Sequence, residues 1–592
     1  MISPIQAQSD RAGVSLNIAS RIVDDAWHEL QRSPSVQQNM GIALTRLPDV
    51  SLEETERRSE VGKSLLRRLD TIDLGAIPHD LALTLRLVRF HARNWAQEAD
   101  WYWNVVDPRG IGHFGLFLPT AYCGGYLLNS INQQLASFSF REAGDTDRYL
   151  ALVADYARLL DQFTARTTGQ AQRGILMPKV QVLQARSLLT AFKSNALAEI
   201  GVAPQRLTAV SRKSFAHDLD RRIATCVEPA FDRALEGLSV SYLDRAPETV
   251  GIEQYPHGAE IYADLVKLNT TLDLTPEQVH SRGLERMAEI EISMRGIRGE
   301  LGFEADPEAF LAKLNSDPRW RANTVEGVAA VFHRYINRLE PHLDKYFAAL
   351  PKASYDVAPL PDALQKSMTF GYYDLPRNDR SGGLYMFNPA NLTKQALFNI
   401  GALTYHELMP GHHLHLAGQR ESPILHPFRA HSFVTAFVEG WAEYAATLAG
   451  EIGMYDAPEE RYGRLMMDAF LTSRLVVDTG MNVLGWSLER AREYMRMYGK
   501  MAEAEILTES IRYSCDIPAQ SLAYKLGDTR ILASREKMRL ALGARFDVRQ
   551  FHAAVLGVGA LPIPDLEWHV EHEAHRIIAG DEMYAPPDQG IT

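Results

Sequence analysis

TYHELMPGHHLHLAG, residues 404–418, places His406, Glu407, His412, His413 and His415 within ten residues of a chain that holds 19 histidines in all. Neutral imidazoles beside a carboxylate form the donor set that zinc prefers. The competing reading is a solvated histidine run near a helix end. The pattern His-Glu-x-x-His puts two ligands one helical turn apart, with the Glu placed to take a proton from water. Here Pro410 stands four places after His406, and proline cannot ligate. Proline also breaks the helical hydrogen-bond ladder, and the adjoining Gly411 permits unusual backbone angles. The segment therefore reads as a bulge at Pro410-Gly411 that carries His412 to the place of the second ligand. His413 is the alternative. It returns to the face of His406, but about 10 Å further along an unbroken helix.

Catalytic zinc usually takes three protein ligands and keeps one open position. The next helical segment is SFVTAFVEGWAEYAATLAG, residues 432–450, with Glu439 placed 27 residues after His412 and Glu443 one turn beyond it. Both acids sit among Phe433, Phe437, Val438, Trp441 and Tyr444, where an unpaired carboxylate is costly. Ligation of a cation by Glu439 removes that cost. The alternative is an acid on the wet face of the helix.

The rest of the chain sets the frame. Its 592 residues are 46% hydrophobic and 23% charged, globular values that exclude wholesale disorder and coiled-coil rods. The formal net charge of −12 argues against nucleic-acid partners and against a basic membrane-binding surface. No apolar run reaches the roughly 18 residues of a membrane span, and MISPIQAQSDRAGVSLN lacks the layout of a signal peptide. Cys123, Cys226 and Cys515 are scattered and unpaired in sequence, so they read as reduced thiols in a cytoplasmic protein.

Periodicity is helical nearly throughout. Tyr149, Leu152, Val153, Tyr156, Leu159, Leu160 and Phe163 recur at three- and four-residue steps, which puts them on one helix face. Thr275, Pro276 and Gln278 form a capping-box start before Val279, Met287, Ile290 and Met294. Asp306-Pro307 and Asp317-Pro318 read as two further helix entries. From about Ser354 to Asn391 the pattern changes: MTFGYYDLP and GGLYMFNP look extended, and the turn NDRS ahead of Gly382-Gly383 predicts a hairpin or small sheet. The tail APPDQGIT reads as frayed.

These residues resemble a large bacterial family catalogued as domain of unknown function 885, whose hallmark is His-Glu-x-x-Pro-Gly-His-His. His406 through His413 reproduce it, Phe437 to Tyr444 resemble its second block, and Pro518-Ala519-Gln520 through Tyr524 and Gly527, then Phe551-His552 and Gly559 to Pro562, its third. The family is similar in turn to helical gluzincin-type zinc peptidases such as thimet oligopeptidase, in which a Phe-Val-Glu segment carries the third zinc ligand. Dipeptidyl peptidase III shows a milder stretching of the same motif. The resemblance implies a mainly α, zincin-like metallopeptidase fold with a small β segment near the cleft.

On that resemblance residues 1–350 are a mostly helical half walling the cleft and residues 351–592 the catalytic half, the two forming one continuous domain. One Zn2+ per chain is expected on His406, His412 and Glu439, with Glu407 as general base. Tyr524, in a segment that resembles the oxyanion-binding helix of such peptidases, is expected to support the oxyanion, with His552 adding a hydrogen bond. Arg535 is a candidate to hold a substrate carboxylate, His413 is left to support the site from behind the ligands or to contact substrate, and Gly383 is expected to line the cleft beside extended peptide. The expected activity is hydrolysis of short peptides. An amidase with a non-peptide substrate and a non-catalytic peptide-binding scaffold are the rivals, and the intact Glu407 argues against the second.

Overall fold

The apolar stripe that follows Asp145 is buried along one face of a 28-residue helix, α1 (Asp145–Gln172), with Tyr149, Val153, Tyr156, Leu160 and Phe163 all inside. The computed structural model describes residues 4–580 apart from 143, 203–205, 208–213, 362–364, 366–369 and 378–379, with backbone alone at 4–15 and 197–199. The tail APPDQGIT and part of the turn NDRS lie outside the described residues. Helix α2 (Pro276–Glu300) begins as its sequence dictates. Thr275 Oγ1 accepts from Gln278 N at 3.3 Å, and Gln278 Oε1 accepts from Thr275 N at 3.0 Å. Asp306 caps α3 (Pro307–Ser316) by accepting from Ala309 N at 2.8 Å.

The second Asp-Pro pair does less than expected. Asp317 caps one 3-10 turn, Pro318–Trp320. The Trp320 carbonyl then leaves the helical direction to accept from Leu397 N at 2.7 Å. A tertiary contact has taken the acceptor that a longer helix needs.

The extended region forms a three-stranded sheet in the order β1-β3-β2, from β1 (Tyr355–Pro359), β2 (Gly371–Asp374) and β3 (Gly383–Phe387). β2 and β3 are the expected antiparallel hairpin, with Gly371 opposite Phe387. β1 joins parallel to β3, with Tyr355 opposite Gly383. β3 is thus central and buried on alternate residues, and β2 is an edge.

After the sheet come α4 (Ile400–Glu407), α5 (His412–Glu421), α6 (Thr435–Glu451), α7 (Pro458–Val483), α8 (Ala523–Leu542) and α9 (Val548–Leu556). Helix α6 lies at the centre, packed on α4, α5 and α8 and buried almost all round. Gly440 of α6 and Gly527 of α8 face each other where the helices meet. A Cβ on Gly440 would fall 2.6 Å from the Gly527 backbone, and one on Gly527 would fall 2.1 Å from the Ala436 carbonyl oxygen. One buried apolar cluster runs from Ala19 to Ala574 and crosses the expected division at residue 350. Among the described residues no helix is long and apolar enough to cross a membrane.

Candidate metal centre

The break between α4 and α5 builds the site. Helix α4 ends on Glu407 and α5 starts on His412, so Leu408–Gly411 is a turn between two helices and not a bulge inside one. Pro410 has no N–H to continue the ladder. Gly411 sits so close over the end of α4 that a Cβ would lie 1.9 Å from the His406 carbonyl oxygen and 2.5 Å from that of Tyr405. Trp441 of α6 donates its indole N–H to the Pro410 carbonyl at 2.9 Å and anchors the turn. The result is that the last turn of one helix and the first residue of the next aim their histidines at α6.

His406 Nε2 lies 3.7 Å and His412 Nε2 3.4 Å from the same oxygen, Glu439 Oε2. One donor atom from each of the three residues falls within 4.8 Å of the others. The rings of His406 and His412 are nearly perpendicular, with centroids 4.8 Å apart. Among the described residues, neither the buried Glu439 Oε2 nor the buried His412 Nδ1 has a hydrogen-bond partner. An orphaned buried carboxylate oxygen with two imidazole nitrogens aimed at it fits a divalent cation. The electrostatics agree. Burial disfavours charge on His406, yet Glu439 and Glu443 at its two nitrogens outweigh burial and raise its pKa. Burial works against Glu439 ionisation too, but His406 and His412 hold its carboxyl below the ordinary range. The corner therefore favours positive charge facing a carboxylate.

Behind His406 stands a second layer. Glu443 Oε2 lies 3.7 Å from His406 Nδ1, and Glu443 Oε1 accepts from Arg464 at 2.7 Å. Lys525 pairs with Glu443 at 3.4 Å, Asp468 at 2.9 Å and Asp528 at 2.7 Å. Burial would raise Glu443, but Arg464 and Lys525 hold it down, so it stays ionised behind the imidazole. A carboxylate on the far nitrogen of a ligating histidine fixes its tautomer and ring orientation.

A cavity of about 400 Å³ opens in front of the centre and is lined by His406, Glu407, His412, Glu439 and Tyr524 among others. Burial raises the Glu407 carboxyl above its ordinary value, with His412 and His406 acting in the opposite direction. The Tyr524 ring stacks parallel to His406 with centroids 6.0 Å apart, and the Arg474 guanidinium lies 4.7 Å above the Tyr524 ring. Burial and the nearby Glu439 push the Tyr524 hydroxyl upward in pKa, so it stays a donor.

Four expected residues do not line this cavity. His413 is wholly buried, with Nδ1 at 2.7 Å from the Tyr373 hydroxyl and Nε2 at 3.0 Å from the Ala353 carbonyl, and so ties α5 to the sheet. His552 Nε2 meets the Tyr444 hydroxyl at 2.7 Å and its Nδ1 the Tyr346 carbonyl at 2.8 Å, inside the core. Arg535 is paired with Glu451 at 2.7 Å and hydrogen-bonds the Tyr444 hydroxyl. Gly383 belongs to the central strand, both of whose edges are taken, and a Cβ there would fall 2.1 Å from the Tyr373 hydroxyl. The strand that does line the cavity is β2, through Gly371 to Asp374.

Sequence reasoning also missed a wall of arginines: Arg109, Arg377, Arg420, Arg474 and Arg512 all reach the cavity. They are scattered over four hundred residues of chain, so no motif marks them.

The fold has solved relatives. "The putative lipoprotein from Colwellia psychrerythraea" superposes with a TM-score of 0.82 at 25% identity, over 95% of this chain and 99% of that one. A protein described as "a putative lipoprotein of unknown function from Shewanella oneidensis" superposes with a TM-score of 0.70 at 16% identity, over 94% of this chain and 99% of the other. No curated protein matches. One family model, described as "Bacterial protein of unknown function (DUF885)", covers residues 34–570 and includes every ligand of the candidate centre, and the chain belongs to that family.

Proposed function

We propose that the chain is a zinc-dependent hydrolase that cuts amide bonds in short peptides, with His406, His412 and Glu439 as the metal ligands. The observation that carries this reading is the convergence of those three donors within 4.8 Å, beside Glu407 and at the wall of a cavity. His406, His412 and Glu439 would hold the ion through two imidazoles and a carboxylate, a donor set that suits a catalytic zinc. When bound there, zinc supplies Lewis-acid polarisation of water and carbonyl oxygen. Glu407 takes the proton from the attacking water and delivers it to the departing amine. Its raised pKa suits a group that must both accept and release that proton. Tyr524 donates its hydroxyl to the carbonyl oxygen as negative charge grows there. An extended peptide can lie along the edge of β2. The resemblance of the motif to helical gluzincin peptidases supports the same reading.

Elemental analysis of protein purified without added zinc, followed by a peptide-library digest read by mass spectrometry, tests it. One zinc per chain and defined cleavage are expected. Well-folded protein that neither carries nor takes up zinc overturns it.

A cytoplasmic setting rests on the three free thiols, Cys123, Cys226 and Cys515. The two solved relatives described as lipoproteins favour a membrane-anchored one. Cell fractionation decides between the two.

A further inference from the structure

We propose that Arg420 docks a carboxylate of the substrate about three residues from the bond that is cut, an inference that rests on the hydrolase reading above. Helix α5 carries His412 as its first residue and Arg420 eight positions later. At 1.5 Å per residue that is about 12 Å along the helix, the reach of three to four extended peptide residues. Both side chains line the same cavity.

Among the described residues none hydrogen-bonds or ion-pairs with Arg420, and its Nη1 is buried without a partner. The neighbouring acids are already engaged. Asp374 is held by Arg380 at 2.9 Å and Arg377 at 3.7 Å. Glu421 accepts from the backbone N–H groups of Lys352 at 2.6 Å and Ala353 at 2.9 Å. Two other arginines of the cavity are compensated: Arg474 and Arg512 share Glu509 at 3.1 and 3.4 Å. The expected carboxylate anchor, Arg535, has Glu451.

Leaving a charge without a counter-ion in a cavity wall is costly, and in a chain of net charge −12 acidic partners are abundant. A fork of guanidinium donors left open suits one class of ligand group, a planar carboxylate bound bidentately. His431 lines the same cavity and also has a buried, unpartnered Nδ1. Burial and the nearby Arg420 hold its pKa down to about 4, so it is neutral and able to donate one hydrogen bond. Burial lowers Arg420 itself only to about 10, which leaves it charged at neutral pH.

The carboxylate can come from a chain terminus or an acidic side chain, and the test separates them. Fluorescent N-acylated hexapeptides of one neutral composition are prepared as the C-terminal amide, as the free acid, and as amides with a single Glu walked along the chain. Binding is read by anisotropy on the zinc-loaded Glu407→Gln protein, which does not consume the probe. At least one acid-bearing set is expected to bind about tenfold or more tightly than the neutral amides. Arg420→Gln in that background should erase the margin, and Arg420→Lys should keep part of it. A margin from the free acid alone assigns a terminus, and a margin from Glu at one position assigns a side chain. Equal binding by neutral and acidic peptides, no binding by any of them, or a margin that survives Arg420→Gln overturns the inference. Zinc content measured on the same samples separates the two readings. Zinc present with no acid preference removes this inference alone, whereas absent zinc removes the hydrolase reading as well.

Discussion

Glu443 Oε2 stands 3.7 Å behind His406 Nδ1 while Arg464 holds the other oxygen of the same carboxylate at 2.7 Å. Because α6 carries Glu439 and Glu443 one turn apart, a single helix face supplies both a proposed ligand and a carboxylate placed to orient another proposed ligand.

Glu443→Gln should therefore keep the three donors and still weaken metal binding by about 10- to 100-fold. It also leaves Arg464 and Lys525 less compensated, so the thermal midpoint should fall. Competition against a chelator of known affinity measures the first effect. An unchanged zinc affinity would place no functional weight on this carboxylate.

Glu407→Gln should retain metal and fold and lose hydrolysis by roughly 10²–10⁴-fold, since the amide cannot accept the proton. Single-turnover cleavage of any peptide found in the library screen is the measurement. Near-normal turnover moves the base to another residue.

The two adjacent histidines should separate cleanly. His412→Ala should lose zinc. His413→Ala should keep zinc but lower stability by about 1–3 kcal/mol, because Tyr373 and the Ala353 carbonyl lose buried partners. Zinc stoichiometry and denaturant unfolding of both variants check this, and the reverse assignment of zinc loss would mean that the wrong ring faces Glu439.

Gly411→Ala changes no donor side chain, yet its Cβ would lie 1.9 Å from the His406 carbonyl oxygen. The turn must open to accept it, which pulls His412 away from His406. Zinc affinity should drop by more than tenfold, measured by the same chelator competition.

Burial holds His91 and His552 down to about 4 from the ordinary 6.5. Their folded pKa lies below the unfolded one, so as pH falls from 6.5 toward 4 the unfolded chain binds protons that the folded chain does not. Stability from this source is full above 6.5 and is lost through that window. The thermal midpoint should be lower at pH 5 than at pH 7.5. Buried acids with raised pKa values, Glu98 at about 8 and Glu505 at about 7, act in the opposite direction, so direct NMR titration of the two rings is the deciding check, and ordinary values near 6.5 would show that they are not held neutral.

What could be read from the chain was whatever depends on near neighbours in sequence. The Thr275–Gln278 cap and the α1 stripe are local, and the His406–His412–Glu439 set needs only two adjoining segments. The Asp317-Pro318 start is as local as the Asp306-Pro307 one. It fails because Leu397, eighty positions away, claims the Trp320 carbonyl. Arg535 and His552 carry the right chemistry, but Glu451, Tyr444 and Tyr346 occupy them. The Gly382-Gly383 hairpin was legible and its central place in the sheet was not, because β1 carries no sign of its parallel partner. Arg420 is the opposite case, since the role proposed for it rests on the partner it lacks among the described residues, and a sequence shows residues but not their company.

Gly440 against Gly527 has a mechanical consequence. Each is the only residue type that fits, so α6 and α8 cannot slide or roll past one another without backbone striking backbone. Glu439 is next to one glycine and Tyr524 is a turn from the other, so the gap between ligand and hydroxyl is set by a contact with no side chain in it to yield. The wall they form is a fixed jaw. On the proposed function, differences in substrate bulk would be taken up opposite, at β2, which among the described residues pairs with a strand along one edge alone.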